Sequence, residues 1–274
     1  MGEDLTTIRD SIDYESQGLK IFGIIHRCKE QASVPSPGVV MYHGVLASKC
    51  QPPHRLYVKL AEALAQAGII SLRIDLPGRG DSEGDTLNMS VEGDLAAAQK
   101  AIDVLVEQPG VDRRRVGLIG ISWGGILAAT LAGRDARVAA TVLLSTSAYE
   151  QVRWKPRLKK VNGRRVYKFV GNLVGEQFFT GMEKLRPIDD LVHTHGPVLY
   201  VYGTKDRLVS PAALDNFQRR LKIANVSLEI ASIAGGDHVF FEPVLQCQVI
   251  DRVALWLQKS FNSKLLPKKT RVPR

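Results

Sequence analysis

The stretch that most constrains this chain is Val116-Gly117-Leu118-Ile119-Gly120-Ile121-Ser122-Trp123-Gly124-Gly125, followed by Ala-rich residues to Ala132. Val116 to Ile119 has the apolar character of a buried strand, and Ile126 to Ala132 that of a buried helix. The Gly-Ile-Ser-Trp-Gly between them predicts a sharp strand-to-helix turn with Ser122 at its apex. Such an elbow strains the serine backbone and holds the hydroxyl clear of the sheet edge. Gly120 and Gly124 have a steric role, because a side chain at either would collide as strand and helix close on each other. A five-residue pattern is weak by itself. Its meaning depends on whether the chain also supplies a base, an acid and donors for a developing negative charge.

The rest of the chain alternates between strand and helix signals. Residues 5–13 and 18–27 read as an N-terminal antiparallel hairpin turning at Gln17-Gly18. Val39 to Tyr42 is a short buried strand ending at His43-Gly44. Leu56, Leu60, Leu64 and Ala67 recur at helical spacing until Gly68. Ile69 to Ile74 is the next strand, and it runs into a loop rich in glycine and charge, Asp75 to Gly84. Ser90 caps a helix carrying Val91, Leu95, Ala98, Ile102 and Leu105, which Pro109-Gly110 ends. After the elbow come a strand at Val138–Leu144, a stretch without clear periodicity up to Pro197, and a strand at Val198–Tyr202. A helix at Pro211–Leu221 and a strand at Val226–Ile233 follow. The last helix carries Leu245, Val249, Val253 and Trp256. This order predicts an α/β fold, a mostly parallel sheet of about eight strands with helices on both faces. In such sheets function collects where strands end at their carboxyl side. His43, Asp75, Ser122, Asp206 and His238 each follow a predicted strand, so they share that edge.

Ser122 is the candidate nucleophile, and a serine hydroxyl needs a base near neutral pH. Of six histidines, His238 lies in the glycine-rich turn Gly235-Gly236-Asp237-His238 after the last strand, where its ring can swing over the sheet edge. A carboxylate must hold the imidazole in the right tautomer and stabilise its cation. Asp206, in the turn after the preceding strand, fits. Asp75, Asp81 and Asp237 are rivals, although Asp237 adjoins the histidine and its side chain should point elsewhere. For the oxyanion, one donor is the backbone N–H of Trp123 at the start of the elbow helix, and the other is assigned to Val45 in the loop after His43. His43 is read as bracing that loop, and the Asp75–Gly84 loop as tying the sheet edge to the neighbouring helix.

The runs Val-Val-Met-Tyr-His-Gly (39–44), Ile-Asp-Leu-Pro-Gly-Arg-Gly-Asp-Ser-Glu-Gly (74–84), Gly-Ile-Ser-Trp-Gly-Gly (120–125), Gly-Thr-Lys-Asp-Arg-Leu-Val (203–209) and Gly-Asp-His (236–238) together resemble the α/β-hydrolase superfamily. The order Ser122, Asp206, His238 is that superfamily's Ser…Asp…His order. Within it, the chain looks like serine esterases of the bacterial feruloyl (cinnamoyl) esterase and serine-aminopeptidase-like, monoglyceride-lipase-like branch. The resemblance spans about residues 18–145 and 197–260. It implies the α/β-hydrolase fold, Ser122, Asp206 and His238 as a catalytic triad, and Val45 and Trp123 as the oxyanion hole. It also implies a lid inserted after the sixth strand. No cofactor and no metal are expected. The division expected is therefore a core of 1–145 and 197–262, a lid or cap at 146–196 and a basic tail at 263–274.

Composition separates the insertion from the core. Net charge is +9, but residues 151–170 and the tail from Lys264 carry thirteen cations and no acid, which leaves the remainder at about −4. The basic character thus belongs to the insertion and tail, which argues against a nucleic-acid binder. Trp154, Phe178 and Phe179 are candidates to line a substrate pocket, against a reading in which the aromatics form a small core and the cations are solvated. Val161-Asn162-Gly163-Arg164 carries a hairpin signal. His193-Thr194-His195 has the alternation of a metal pair on a strand but lacks further ligands nearby. Cys28, Cys50 and Cys247 are scattered, which fits a reducing cytoplasm. The opening residues lack the apolar core of a signal peptide, and no apolar run approaches the roughly 20 residues of a membrane span. The expectation is a cytoplasmic serine hydrolase of a small carboxylic ester. Amide or thioester cleavage by the same residues is the alternative. A third reading, of another class, is a binding protein that uses the basic insertion. The sequence leaves the oligomeric state open, a homodimer included.

Overall fold

The computed structural model describes residues 7–29, 35–51, 53–147, 158–161, 163–169 and 171–262. Its strands are β1 (Thr7–Ser16), β2 (Leu19–Cys28), β3 (Ser36–Tyr42), β4 (Ile70–Ile74), β5 (Val111–Ile121), β6 (Val138–Leu144), β7 (Leu158–Val161), β8 (Arg164–Phe169), β9 (Asn172–Gly175), β10 (Val198–Gly203) and β11 (Leu228–Ile233). Eight of them form one sheet in the order β1-β2-β4-β3-β5-β6-β10-β11. β1 pairs antiparallel with β2, and β2 antiparallel with β4. The remaining neighbours are parallel.

The helices are α1 (Leu56–Gln66), α2 (Val91–Val106), α3 (Trp123–Arg134), α4 (Glu176–Met182), α5 (Pro187–Leu191), α6 (Pro211–Ile223) and α7 (Pro243–Asn262). β3 and β4 are buried along their whole length. Val39 to Tyr42 accordingly reads as a continuous apolar run, whereas β4 buries Ser71 and Arg73, the latter donating to His26 Nε2 at 2.9 Å. Their alternate residues face opposite layers. Val40 and Tyr42 pack towards α2, α3 and α6, whereas Val39 and Met41 pack towards α1 and α7. This is the α/β arrangement expected from the sequence, a sheet with helices on both faces. Two local signals are realised directly. Gln17 and Gly18 both take positive φ, 50° and 75°, in the β1–β2 turn, as a two-residue hairpin requires. The Ser90 hydroxyl accepts the Gly93 N–H at 2.9 Å and caps α2.

Two elements differ from expectation. β5 begins at Val111, earlier than the apolar run, because Ser36 pairs with Val111 across an irregularity before Gly38. Its polar start, Asp112-Arg113-Arg114-Arg115, concealed it. Between β6 and β10 lies an insertion with its own three-stranded antiparallel sheet, β7-β8-β9. The hairpin signal is realised there, with Val161 opposite Arg164. β9, α4 and α5 had no sequence counterpart. The insertion sits on the core through specific contacts. Arg134 of α3 holds Asp190 of α5 with two hydrogen bonds, 3.0 and 2.9 Å. Gln177 of α4 donates to the carbonyls of Leu87 and Met89 at 2.7 and 3.0 Å, just before α2. Among the described residues no helix is long and apolar enough to cross a membrane.

Candidate functional site

Ser122 sits between β5 and α3 with φ 54° and ψ −116°. A non-glycine residue rarely adopts this conformation and holds it only where its surroundings over-determine it. The glycines make that possible by close approach. A Cβ on Gly120 would overlap the Gly124 carbonyl, one on Gly124 the carbonyls of Tyr42 and His43, and one on Gly125 the Thr146 hydroxyl. The start of α3 is therefore pressed against the end of β3 and the His43 carbonyl. The Trp123 N–H is among the first donors of α3, which have no acceptor within the helix.

Sheet register brings distant segments to the same level. Ile121 pairs with Leu144, and Leu144 with Val201. The Ser122 N–H donates to Leu144 O at 2.9 Å, and the Ser145 N–H to Val201 O at 2.8 Å. Two strands beyond β5, β10 ends at Gly203, whose missing side chain leaves room for the Gly236 carbonyl. That contact brings together the turns carrying Asp206 and His238. Nδ1 of His238 lies 2.9 Å from Oδ2 of Asp206. The carboxylate accepts, so Nδ1 carries a proton, which in the neutral ring leaves the lone pair on Nε2. The other Asp206 oxygen accepts the N–H groups of Leu208 and Val209, at 2.8 and 3.1 Å. Burial works against the Asp206 charge, but the hydrogen bond and charge of His238, with the two backbone donors, outweigh it and hold the carboxyl below its usual range. Asp237 instead accepts from the N–H groups of Val239 and Phe241, at 3.2 and 2.8 Å, and so braces the turn.

His43 is fully buried. Nε2 accepts the Leu76 N–H at 3.0 Å, and Nδ1 lies 2.7 Å from Gly44 O. The first bond requires a bare Nε2, so Nδ1–H donates to the carbonyl. Burial is the main cause that lowers the His43 pKa to about 4, with the Arg79 charge adding to it. The ring is therefore a neutral brace, as expected. Its bond has a consequence for the neighbouring donor. Gly44 C=O and Val45 N–H belong to one planar peptide group, so holding the carbonyl fixes the direction of the N–H.

The Asp75 loop is tied as expected. Asp75 accepts the Lys49 N–H at 2.5 Å and the Asp81 N–H at 2.8 Å, and pairs with the Lys49 ammonium at 2.5 Å. Arg79 reaches α2 through a fully buried pair with Asp94. Asp94 also accepts the indole N–H of Trp123 at 2.8 Å. The sequence reading missed this residue. Its signal was a carboxylate one turn after Val91 on the apolar face of a predicted helix.

The insertion aromatics separate. Phe178 has no exposed surface and meets the Trp123 ring edge-on, 5.0 Å between centroids. This packing matches the other reading of these aromatics, a small core. Phe179 is half-buried and meets Tyr167, Phe178 and Phe169 edge-on, at 4.6, 5.6 and 6.4 Å. Trp154 and the 263–274 tail lie outside the described residues. His193 and His195 fall in the turn after α5 and not on a strand. Among the described residues, no group of three or more His, Cys, Asp or Glu could hold a metal ion.

The profile of the alpha/beta hydrolase family matches residues 39–244, three quarters of the chain and all of the segments just described. The chain belongs to the alpha/beta hydrolase family. No curated protein sequence matches it. Solved structures share the fold of this hydrolase-family chain at low identity. Est1E from Butyrivibrio proteoclasticus, solved with ferulic acid bound, is 19% identical with a TM-score of 0.78, covering 91% of this chain and 98% of its own. DcsB, solved with a substrate analogue, is 16% identical with a TM-score of 0.73, covering 92% and 100%. A putative dienelactone hydrolase from Klebsiella pneumoniae is 19% identical with a TM-score of 0.68, covering 92% and 98%.

Proposed function

We propose that this chain is a serine hydrolase that cleaves a small carboxylic ester through Ser122, His238 and Asp206. The observation that carries the reading is the His238–Asp206 bond of 2.9 Å. It lies on the same sheet edge as a serine held at φ 54° between strand and helix. Nε2 of His238 takes the Ser122 proton as Oγ attacks the ester carbonyl. The backbone N–H groups of Val45 and Trp123 hold the oxyanion. His238 then passes the proton to the leaving alcohol, and water clears the acyl-enzyme by the same steps in reverse. Asp206 keeps the imidazole in its Nδ1–H tautomer and offsets its charge while it carries two protons. Residues 146–196 act as a cap over this edge, and Phe179 is the described side chain proposed to meet the apolar part of the substrate. The feruloyl-binding Est1E and the dienelactone hydrolase support an ester over an amide or thioester as the first class to try. The test is fluorophosphonate labelling of the wild type and of Ser122→Ala, alongside turnover of p-nitrophenyl esters, aminoacyl anilides and acyl thioesters. Labelling confined to the wild type, with ester turnover leading, is expected. Equal labelling of both proteins would remove Ser122 as the nucleophile.

A further inference from the structure

The buried network behind Trp123 has no part in the steps above, yet it touches the residue that supplies one of the proposed oxyanion donors. Resting on that reading, we propose that Asp94, held by Arg79, is a positioning residue that fixes the Trp123 backbone N–H by gripping the Trp123 indole.

The Trp123 ring is 3% exposed, so it offers a substrate almost nothing. Its indole N–H donates to Asp94 Oδ2 at 2.8 Å, and the same oxygen pairs with Arg79. Arg79 is in turn anchored to Pro77 O at 2.8 Å. Phe178 packs edge-on against the ring. The indole is thus held on its polar edge and on its apolar surface. A ring held in this way holds its own Cβ and Cα, and with them the Ser122–Trp123 peptide. That peptide is the one most in need of restraint, because Ser122 sits in a disfavoured conformation that relaxes unless its neighbours prevent it.

The network is also poor as a stabilising device. Asp94 Oδ1 and Arg79 Nε are buried with no hydrogen-bond partner among the described residues. Apolar residues of similar volume commonly replace a buried ion pair without loss of stability. A pair with two unsatisfied atoms is better explained by the geometry that it imposes. The opposite donor has a matching arrangement, since His43 fixes the Gly44–Val45 peptide from behind. Each proposed donor is therefore backed by a buried side chain.

The test uses Trp123→Phe, which keeps an aromatic ring and the Arg79–Asp94 pair while deleting the indole N–H. Kinetic constants are taken per active site, titrated with a fluorophosphonate, and set beside the affinity for a trifluoromethyl ketone that mimics the tetrahedral oxyanion. We expect kcat to fall on the order of ten-fold, less than the 10²–10³ seen when a donor is deleted outright. KM should stay within two-fold, and ketone affinity should fall in step with kcat. Asp94→Leu, which removes the acceptor, should show the same split and serves if Trp123→Phe folds poorly, whereas Asp94→Asn keeps an amide oxygen for the indole N–H and should lose less. Wild-type kcat and ketone affinity per titrated site, with only a lower melting temperature, would overturn the proposal. Ser122→Ala separates the two levels. If Ser122→Ala is inert while Trp123→Phe behaves as wild type, the hydrolase reading stands and the role of Asp94 falls. If Ser122→Ala remains active, the hydrolase reading fails first.

Discussion

The sheet edge and the basic insertion are built on opposite plans. At the edge, backbone segments approach so closely that Gly120, Gly124, Gly125 and Gly203 have no room for a methyl group. Charged and polar side chains there, including His43, Asp75, Asp94 and Arg79, are buried and bonded. In the insertion, Lys159, Lys160, Arg164, Arg165 and Lys168 are exposed, and Gly163 and Gly171 have open space around them. Among its described residues, Val166, Val174, Phe178, Ile188 and Leu191 are the buried large apolar side chains. The difference shows where the chain tolerates change. The edge holds its side chains in one geometry, whereas the insertion combines an exposed basic hairpin, β7–β8, with a base seated closely on the core, where Gly175 meets the Leu87 carbonyl and Asp190 meets Gly133. On this view reaction type resides in the edge and substrate choice in the insertion.

The largest effect that could break this comparison is on turnover. Replacing His238 or Asp206 with alanine should lower kcat by about 10³-fold or more, read with a p-nitrophenyl ester. Asp206→Ala with near-normal turnover would remove it as the acid. Next comes a pair of glycine substitutions. Gly124→Ala forces a methyl group into the Tyr42 carbonyl and should cost about 3 kcal/mol or more in urea unfolding. Gly163→Ala has open space and only a φ of 78° to contend with, so about 1–2 kcal/mol is expected. Equal losses would show that the two regions are not packed differently.

Acid sensitivity should likewise trace to the core. Burial lowers the His43 pKa to about 4 and the His26 pKa to about 3, against about 6.5 in an unfolded chain. Between those values the unfolded chain binds more protons than the folded one. Stability therefore falls as pH drops from about 6.5 towards 4. Urea midpoints at pH 7 and pH 5 should differ in that direction, and less so in His43→Gln. Identical wild-type midpoints would contradict the buried neutral state of both rings. The smallest effect belongs to the insertion. Lys159→Glu with Lys160→Glu should change stability by no more than about 0.5 kcal/mol and leave turnover of a neutral ester unchanged. A selective rise in KM for anionic esters would sharpen the comparison by giving those cations a substrate role.

The same contrast explains what the sequence could tell. Runs such as Val39 to Tyr42 and Val138 to Leu144 are legible because a strand buried on both faces must be apolar throughout. Ser122, Asp206 and His238 stand out as candidates because each follows a strand with turn residues around it, although β11, before His238, is only partly buried. The polar start of β5 was hidden, since Asp112 to Arg115 carry no apolar signal while pairing as a strand. β9, α4 and α5 were hidden because elements of four to seven residues bury too few side chains to set a period. The packing of Phe178 on Trp123 was hidden because an aromatic in an insertion gives no sign of which side chain it meets. Asp94 was overlooked for a related reason. Its partners, Arg79 and Trp123, lie 15 and 29 residues away, and only the fold joins them.

The central claim is that Ser122 carries the acyl group, and intact-mass analysis tests it most directly. An ester reaction quenched within the first turnovers should give a protein heavier by one acyl group. Peptide mapping should place that group on Ser122, and Ser122→Ala should show no adduct. An adduct on another residue, or full turnover by Ser122→Ala, would contradict the account.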